Sequence, residues 1–275
     1  MTMKKWVVGM MGLVLALGLA ACGEKEVSGD DSWKKIEESK KITIGLDDTF
    51  VPLGFKDEDG KTVGFDIDLA KAICKDYGIE PTFQAIDWSM KENELDNGTI
   101  DLIWNGYSVT KAREKKVIFT KPYATNEHII LTRKDSGITD REQMKGKILG
   151  TQESSSSYES FLKNPEYLKD LVKDKDAIQY ASFNEAFMDL ENGRLDGILV
   201  SVIYAEYYLK QNDKMADFNL FSPGFQGDSF AVGARKGDKA LVEKLNQGFE
   251  KLEEDGRYAE ISEKWFGTAW EIPDK

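Results

Sequence analysis

A nine-residue segment occurs twice in the chain, and this repetition limits the possible folds more than any other feature of the sequence. Residues 95–103 read LDNGTIDLI, and residues 190–198 read LENGRLDGI. In both copies a helical pattern ends at Asn-Gly, and an aspartate then opens an apolar run typical of a buried strand. The spacing is too long for a solenoid repeat. The segment therefore predicts two α/β lobes of similar construction.

The stretch that follows the first copy carries the first candidate site. An apolar run ends at Asn105-Gly106, and Ser108, Thr110 and Arg113 come next. Open α/β sheets bind ligands where a strand ends in such a turn. Arg113 falls in the first turn of the next expected helix, where its charge gains nothing from the helix dipole. Its partner is either an anionic ligand group, which the planar guanidinium would bind with two hydrogen bonds, or a nearby surface acid.

The spacing of residues from Asp101 to Arg113 resembles that of the polar amino-acid family of periplasmic-type solute-binding proteins, which feed ABC importers. Further landmarks follow in the same order from residue 41 to about residue 267. The resemblance implies two similar α/β lobes joined by a two-strand hinge, with the ligand cleft between them. We expect lobe 1 to comprise residues 40–127 and 228–270 and lobe 2 to comprise residues 128–227. The strand 127–133 with its turn at 134–137 is the expected first crossing, and residues 225–231 the return.

The resemblance places ligand contacts in loops of both lobes. In lobe 1 these are Asp47, Phe50, Trp88, Asn105, Gly106, Ser108 and Arg113, and in lobe 2 they are Gln152, Ser155, Ser156 and Ser201. Two flat aromatic faces around a ligand would exclude water and strengthen the polar contacts inside. The serine run at 154–157 lies between a strand and a helix, where backbone N–H groups and hydroxyls form an anion-binding nest.

Two positions depart from the family pattern. Ser154 stands where the family often has glycine, and Ser201 stands where many relatives have the aspartate that holds the ligand's α-ammonium. A serine hydroxyl brings no charge to that position. We therefore expect a larger amino-acid derivative, such as cystine or glutathione, while glutamine and basic amino acids stay open.

The N-terminus has the pattern of an export signal. Two lysines precede an apolar run at residues 6–19, which is shorter than the ~20 residues of a membrane-spanning helix and is interrupted by glycines. The sequence Leu-Ala-Ala-Cys then resembles a bacterial lipobox. The prediction is a signal peptide at residues 1–21, lipid attachment at Cys22 and a lipid-attached tether at residues 22–39.

Composition excludes several classes of function. The net charge is -12, and removal of residues 1–21 takes away Lys4, Lys5 and no acid, which leaves -14. So acidic a chain argues against nucleic-acid binding and against general attraction to anionic membranes. A single histidine argues against a histidine-rich metal site, and no cofactor is expected. With Cys22 lipidated, Cys74 has no disulfide partner and is expected to pack as a small hydrophobe in a helix.

The first hypothesis is a monomeric binding protein, anchored by lipid to the outer face of the cytoplasmic membrane, that delivers its ligand to an ABC permease. A cell-envelope enzyme is the alternative, either a serine hydrolase or a dehydratase on the same fold. Ser160-Phe161-Leu162-Lys163 matches Ser-x-x-Lys, but the companion boxes are missing, and His128 has no acid at a telling spacing. The third hypothesis, a receptor sensor module, calls for a membrane helix after the domain, and none precedes Lys275.

Overall fold

The computed structural model describes residues 31–273. The α-helices in this part of the chain are α1 (Trp33–Ser39), α2 (Phe65–Asp76), α3 (Lys91–Asp96), α4 (Ser156–Lys163), α5 (Phe183–Glu191), α6 (Val202–Gln211), α7 (Lys239–Glu254) and α8 (Arg257–Phe266). The strands are β1 (Lys41–Leu46), β2 (Thr49–Phe50), β3 (Gly54–Lys56), β4 (Thr62–Val63), β5 (Glu80–Ala85), β6 (Leu102–Ile103), β7 (Val117–Phe119), β8 (Ala124–Asn126), β9 (His128–Arg133), β10 (Leu149–Gln152), β11 (Ala177–Tyr180), β12 (Gly197–Ser201), β13 (Phe218–Phe221), β14 (Asp228–Phe230) and β15 (Gly233–Arg235).

The first lobe is built on a five-stranded sheet in the order β5-β1-β6-β15-β7. β1 runs parallel to β5 and β6, whereas β15 runs antiparallel to β6 and β7. Ile42, Ile44 and Leu46 of β1 are all buried, as expected for a central parallel strand in a lobe with helices on both sides of the sheet. The strands of this sheet come from two separate parts of the chain, 41–119 and 233–235.

The second lobe repeats this plan. Its sheet has the order β11-β10-β12-β9-β13, with β10 parallel to β11 and β12, and β9 antiparallel to β12 and β13. In each sheet three parallel strands are followed by one antiparallel strand and an edge strand. In lobe 2 the antiparallel strand is β9, by which the chain enters that lobe. In lobe 1 it is β15, by which the chain returns from lobe 2. The predicted fold class, two similar α/β lobes, is confirmed.

The duplicated segment performs the same structural task in both lobes. Asp101 accepts a hydrogen bond from the Thr43 N–H at 3.0 Å and donates its own N–H to the Thr43 carbonyl at 2.8 Å. Asp196 does the same with Ile148, at 2.8 Å and 2.9 Å. Each aspartate thus fixes the start of the central strand, β6 or β12, against its parallel neighbour. This is why an acid stands at the head of an apolar run in both copies.

A separate pair of strands, β8 and β14, joins the lobes. They run antiparallel, with Asn126 opposite Asp228 and Ala124 opposite Phe230. The expected crossing at the turn 134–137 is wrong. Lys134–Ser136 is a 3-10 turn at the far end of β9, and the chain passes between lobes before that strand begins. The apolar pattern of 127–133 comes from burial in the middle of the second sheet and not from a linker between lobes.

Part of the predicted tether is folded. Residues 33–39 form α1, in which Ile36 is buried and Trp33 packs edge-on against Tyr77 at 5.2 Å. Asp31 accepts a hydrogen bond from Leu241 N–H at 3.3 Å, at the start of α7. The predicted signal peptide, Cys22 and residues 22–30 of the tether lie outside the described residues. Cys74 is buried in α2, as predicted, and burial raises the pKa of its thiol to about 12.

Candidate functional site

A cavity with about 360 Å³ of empty space lies between the lobes. It is located where β1, β6, β10 and β12 end, because the carboxyl ends of the parallel strands of both sheets point toward the same cleft. The residues that line it are Asp47, Phe50, Trp88, Asn105, Gly106, Arg113, Asn126, Gln152, Ser155, Ser156, Ser157, Phe183, Ser201 and Phe230.

Ten of the eleven ligand contacts predicted from the sequence are among these lining residues. The exception, Ser108, stands one layer back and donates its hydroxyl to the Ser156 hydroxyl across the cleft at 2.8 Å. The structure therefore brings the predicted residues of the two lobes together. Four lining residues were not predicted, and they are Asn126, Ser157, Phe183 and Phe230.

Arg113 is held in place by backbone carbonyls and a ring. It is 5% exposed, and its guanidinium donates to the Ser108 carbonyl at 3.0 Å and to the Ser154 carbonyl of the other lobe at 3.1 Å. The guanidinium carbon lies 4.5 Å from the centre of the Tyr107 ring. A guanidinium has five N–H donors, so donors remain for an anionic group in the cavity. No carboxylate of the described residues forms an ion pair with Arg113, so the surface-acid alternative does not hold.

Asp47 supplies the carboxylate of the lining. It accepts hydrogen bonds from Thr49 N–H at 3.0 Å and from Thr49 Oγ1 at 2.6 Å. Its other oxygen accepts from Gln152 Nε2 of the second lobe at 2.6 Å. Burial raises the pKa of Asp47, and the bonds from Thr49 and Gln152 oppose the rise. A group that carries positive charge would stabilise this partly desolvated carboxylate.

The turn after β6 requires glycine. Gly106 has φ +58°, and a Cβ at this position would lie 2.6 Å from Leu53 Cδ1 and 2.9 Å from Phe50 Cε1. Its N–H donates to buried Asp66 at 2.7 Å, and Tyr123 donates to the same oxygen at 2.8 Å. Burial raises the pKa of Asp66 to about 7. Asp66 therefore holds the turn from behind without lining the cavity.

Aromatic rings from both lobes enclose the cavity. Phe50 of lobe 1 stacks on Tyr204 of lobe 2 at 5.7 Å and packs against Phe183 at 5.8 Å. Trp88 meets Tyr107 edge-on at 6.0 Å. Phe50 and Trp88 were predicted from the sequence, whereas Phe183, the first residue of α5, carries no motif that would have identified it.

The serine-rich turn forms the start of α4. Ser154 has φ +55°, so this serine adopts the left-handed conformation for which glycine is best suited. The Ser155 hydroxyl caps the helix by accepting from Tyr158 N–H at 3.2 Å, and it donates to the Gln152 carbonyl at 2.8 Å. The N-terminal end of the helix and its hydroxyls therefore face the cavity, an arrangement that favours an anion.

Residues near the hinge form a second polar wall. Ser201 donates its hydroxyl to Asn126 Oδ1, and Asn126 Nδ2 donates to Asp228 at 2.9 Å. His128 lies between Asp228, at 3.3 Å, and the Ser157 hydroxyl, at 3.0 Å. The sequence shows no acid at a telling spacing from His128, because Asp228 lies a hundred residues away and meets it only through the pairing of β8 with β14.

Two further observations limit the chemistry of the described residues, 31–273. Nowhere in that range do three or more His, Cys, Asp or Glu side chains come together as a metal site would need. In the same range, no helix has both the length and the apolar character needed to cross a membrane.

Two similar α/β lobes, the pair of strands that joins them and a cavity between them lined by polar and aromatic side chains define a two-lobed solute receptor. Residues 42–268 match the bacterial extracellular solute-binding proteins, family 3. The match covers most of the chain, and the chain belongs to this family. The resemblance inferred from the sequence is thereby confirmed.

Relatives and solved structures agree with this assignment. The arginine-binding extracellular protein ArtP of Bacillus subtilis is 31% identical over 268 residues, which is 96% of this chain and 98% of that protein. The L-cystine-binding protein TcyJ of Escherichia coli strain K12 is 28% identical over 268 residues, 96% of each. A substrate-binding protein of an ABC uptake transporter from Streptococcus pneumoniae, solved with bound histidine, is 51% identical. Its TM-score is 0.87, and the match covers 88% of this chain and 99% of that one.

These relatives and structural neighbours are solute-binding proteins and not enzymes, as predicted. Ser157, His128 and Asp228 have the composition of a hydrolase triad, but their order around the imidazole is reversed. Nδ1 faces the serine and Nε2 the aspartate, whereas in the triad the aspartate holds Nδ1. Lys163 of the Ser-x-x-Lys match pairs with Glu159 at the surface. Neither arrangement supports the enzyme alternative.

Proposed function

We propose that the chain binds one free L-α-amino acid with a planar side chain that can carry positive charge, histidine or arginine, and passes it to an ABC permease. The cavity is the observation that carries this proposal. Its described lining contains one guanidinium, Arg113, one carboxylate, Asp47, and four aromatic rings. This set complements a zwitterion whose side chain is flat and cationic, because aromatic faces and a buried carboxylate both attract such a group.

The expected pose follows from the charges of the lining. The ligand carboxylate would meet Arg113 and the start of α4, where Ser155 and Ser156 present N–H groups and hydroxyls. The side chain would lie near Asp47 with Phe50 beside it. Asn105 also lines the cavity, and its Oδ1 accepts a hydrogen bond from Asp47 N–H at 3.2 Å.

Two relatives support a single amino acid as the ligand. One was solved with bound histidine, and another is named for arginine. The larger ligands expected from Ser201, cystine and glutathione, stay the second candidate. The L-cystine-binding relative favours them.

Capture would occur by closure of the lobes. Hydrogen bonds already cross the cleft, from Gln152 to Asp47, from Ser108 to Ser156 and from Arg113 to the Ser154 carbonyl. We infer that lobe 1, residues 40–127 and 228–270, and lobe 2, residues 128–227, rotate about β8 and β14. Hinge motion of this kind would admit the ligand and then shield it from water.

The lipid anchor belongs to the same proposal. A diacylglyceryl group on Cys22 supplies two acyl chains, which is enough for stable membrane attachment, whereas one chain is marginal. The receptor would then work as a monomer on the outer face of the cytoplasmic membrane. Cys22→Ser should release the protein into the medium or leave the precursor unprocessed. Mature Cys22→Ser protein that still fractionates with membranes would contradict the anchor.

Calorimetry with ligand-free protein tests the proposed ligand. Residues 23–275 are purified, unfolded in denaturant to remove co-purified ligand, refolded, and titrated with L-histidine, L-arginine, L-glutamine, L-cystine and glutathione. We expect micromolar or tighter binding of histidine or arginine, at a free energy of about -8 kcal/mol or better. Binding of cystine or glutathione alone would favour the second candidate, and binding of none would reject the proposal.

A further inference from the structure

We propose that Asp228 is the counter-charge for the α-ammonium of the ligand and acts through Asn126 and Ser201 without touching the ligand. This inference rests on the proposed function, because it concerns how the same cavity takes an amino acid. It assigns a specificity role to a residue outside the lining, in the strand pair that joins the lobes.

The polar side chains near β8 and β14 form one connected hydrogen-bonded network. Ser201 donates to Asn126, Asn126 donates to Asp228 at 2.9 Å, His128 lies 3.3 Å from Asp228, and His128 is paired with Ser157 at 3.0 Å. Ser201, Asn126 and Ser157 line the cavity, whereas Asp228 and His128 stand behind them. This hydrogen-bonded network therefore opens onto the cavity at both ends, and Asp228 and His128 lie in its middle.

Asp228 determines which end of the Asn126 side-chain amide points toward the cavity. An asparagine amide has one end that donates and one that accepts. Because the Asn126 amide nitrogen is committed to the Asp228 carboxylate, its oxygen points to Ser201 on the cavity side. That oxygen has a second lone pair, and the Ser201 hydroxyl oxygen can also accept. The wall is thus set to receive hydrogen bonds, which is what an ammonium group requires.

Asp228 also brings negative charge to this wall. Burial would raise the pKa of its carboxyl, but the hydrogen bond and charge attraction of His128, together with the Asn126 amide, hold the pKa below its usual value. The carboxylate oxygen that faces His128 Nε2, at 3.3 Å, forms no well-aligned hydrogen bond. In a site of low dielectric, such a charge acts over more than one layer of atoms.

The substitution Asp228→Asn tests this role, because it keeps the shape and removes the charge. Binding of L-histidine and L-arginine is measured by calorimetry. Imidazole-4-propionate and 5-guanidinopentanoate, which lack only the α-ammonium, are measured by ligand-observed NMR at millimolar concentration. The variant should bind the amino acids about tenfold or more weakly and bind both analogues as the wild type does. Asp59→Asn, in an exposed turn of lobe 1, is the matched control and should change nothing.

Rescue distinguishes a charge effect from a structural one. Adding Ser201→Asp to Asp228→Asn returns a carboxylate to the same wall, and it should restore amino-acid affinity at least in part. If Asp228→Asn does not fold, Asn126→Ala is the second variant. It breaks the link between Ser201 and Asp228 while Asp228 and His128 stay paired. It should show the same selective loss.

Each other outcome counts against the inference. An equal loss for the amino acids and their analogues, no loss at all, or no rescue by Ser201→Asp would overturn the role of Asp228 while wild-type binding upholds the proposed function. Wild-type protein that binds no amino acid would overturn the proposed function and this inference together.

Discussion

At the scale of single residues, the cleft is organised by cations from lobe 1 that converge on one carbonyl of lobe 2. Arg113 and Lys91 both donate to the Ser154 oxygen, at 3.1 Å and 3.2 Å. Lys91 also donates to the Trp88 carbonyl at 2.8 Å. The left-handed conformation of Ser154 accompanies this arrangement. The two cations therefore join the lobes at the same place where the ligand carboxylate is expected.

Replacing Arg113 by Met should abolish tight binding. A ligand carboxylate left in the cavity without its partner would lose roughly 3–5 kcal/mol, which takes a micromolar dissociation constant to between about 0.1 mM and a few millimolar. The melting temperature should also fall modestly, because the buried Ser108 carbonyl loses its donor and the Ser154 carbonyl keeps only Lys91. Arg113→Lys is the control, because it keeps the charge and loses the planar guanidinium. Its affinity for the ligand should lie between those of the wild type and Arg113→Met. Calorimetry that shows unchanged affinity in Arg113→Met would remove Arg113 from the site.

Lys91 should make stability depend on pH in a definite direction. Burial lowers its pKa to about 7, with Arg113 adding to the shift and Glu92 opposing it, whereas the unfolded value is about 10.4. Between these values the folded protein binds fewer protons than the unfolded chain, so the Lys91 contribution to the free energy of unfolding falls as pH is lowered from about 10.4 to 7.

Comparison with Lys91→Met isolates this contribution. The difference in free energy of unfolding, wild type minus variant, should decrease from pH 10 to pH 7 with a steepest slope of up to about 1.4 kcal/mol per pH unit. Urea titrations at several pH values measure it. A difference that does not change with pH would show that Lys91 keeps an ordinary pKa.

At the scale of elements, local patterns predicted the strand ends well and the contacts between distant strands poorly. The aspartates of the duplicated segment, the turn at Asn105-Gly106 and the serine-rich start of α4 all depend on neighbouring residues, so the sequence revealed them. The pairing of β8 with β14 depends on residues a hundred positions apart. For that reason Asn126 and Asp228, the acid beside His128, escaped prediction, and the apolar strand β9 was misread as a crossing.

The duplicated aspartates should differ in importance although their backbone contacts are alike. Asp101 also accepts from Arg235 at 3.1 Å, whereas the nearest cation to Asp196 is Lys147 at 4.0 Å. Asp101→Ala should therefore lower the free energy of unfolding by about 1–3 kcal/mol, and Asp196→Ala by less. Urea unfolding of both variants gives the order, and the reverse order would show that the Arg235 contact contributes little.

At the scale of the whole molecule, the chain is two copies of one α/β design facing each other across a charged cavity. Each sheet directs the ends of its parallel strands into the cleft, so neither lobe has a complete site alone. Lobe 1 supplies Arg113 and Asp47, and lobe 2 supplies the start of α4 and Ser201. The duplication could be predicted from the nine-residue repeat. The degree of closure could not, because it depends on hydrogen bonds between lobes.

Small-angle X-ray scattering with and without ligand tests the central claim, capture by closure, most directly. Ligand-free residues 23–275 should show a larger radius of gyration than protein saturated with L-histidine or L-arginine, and the saturated curve should match the closed structure described here. Arg113→Met at the same ligand concentration should stay expanded. Saturable binding in calorimetry with identical scattering curves before and after ligand would contradict capture by closure.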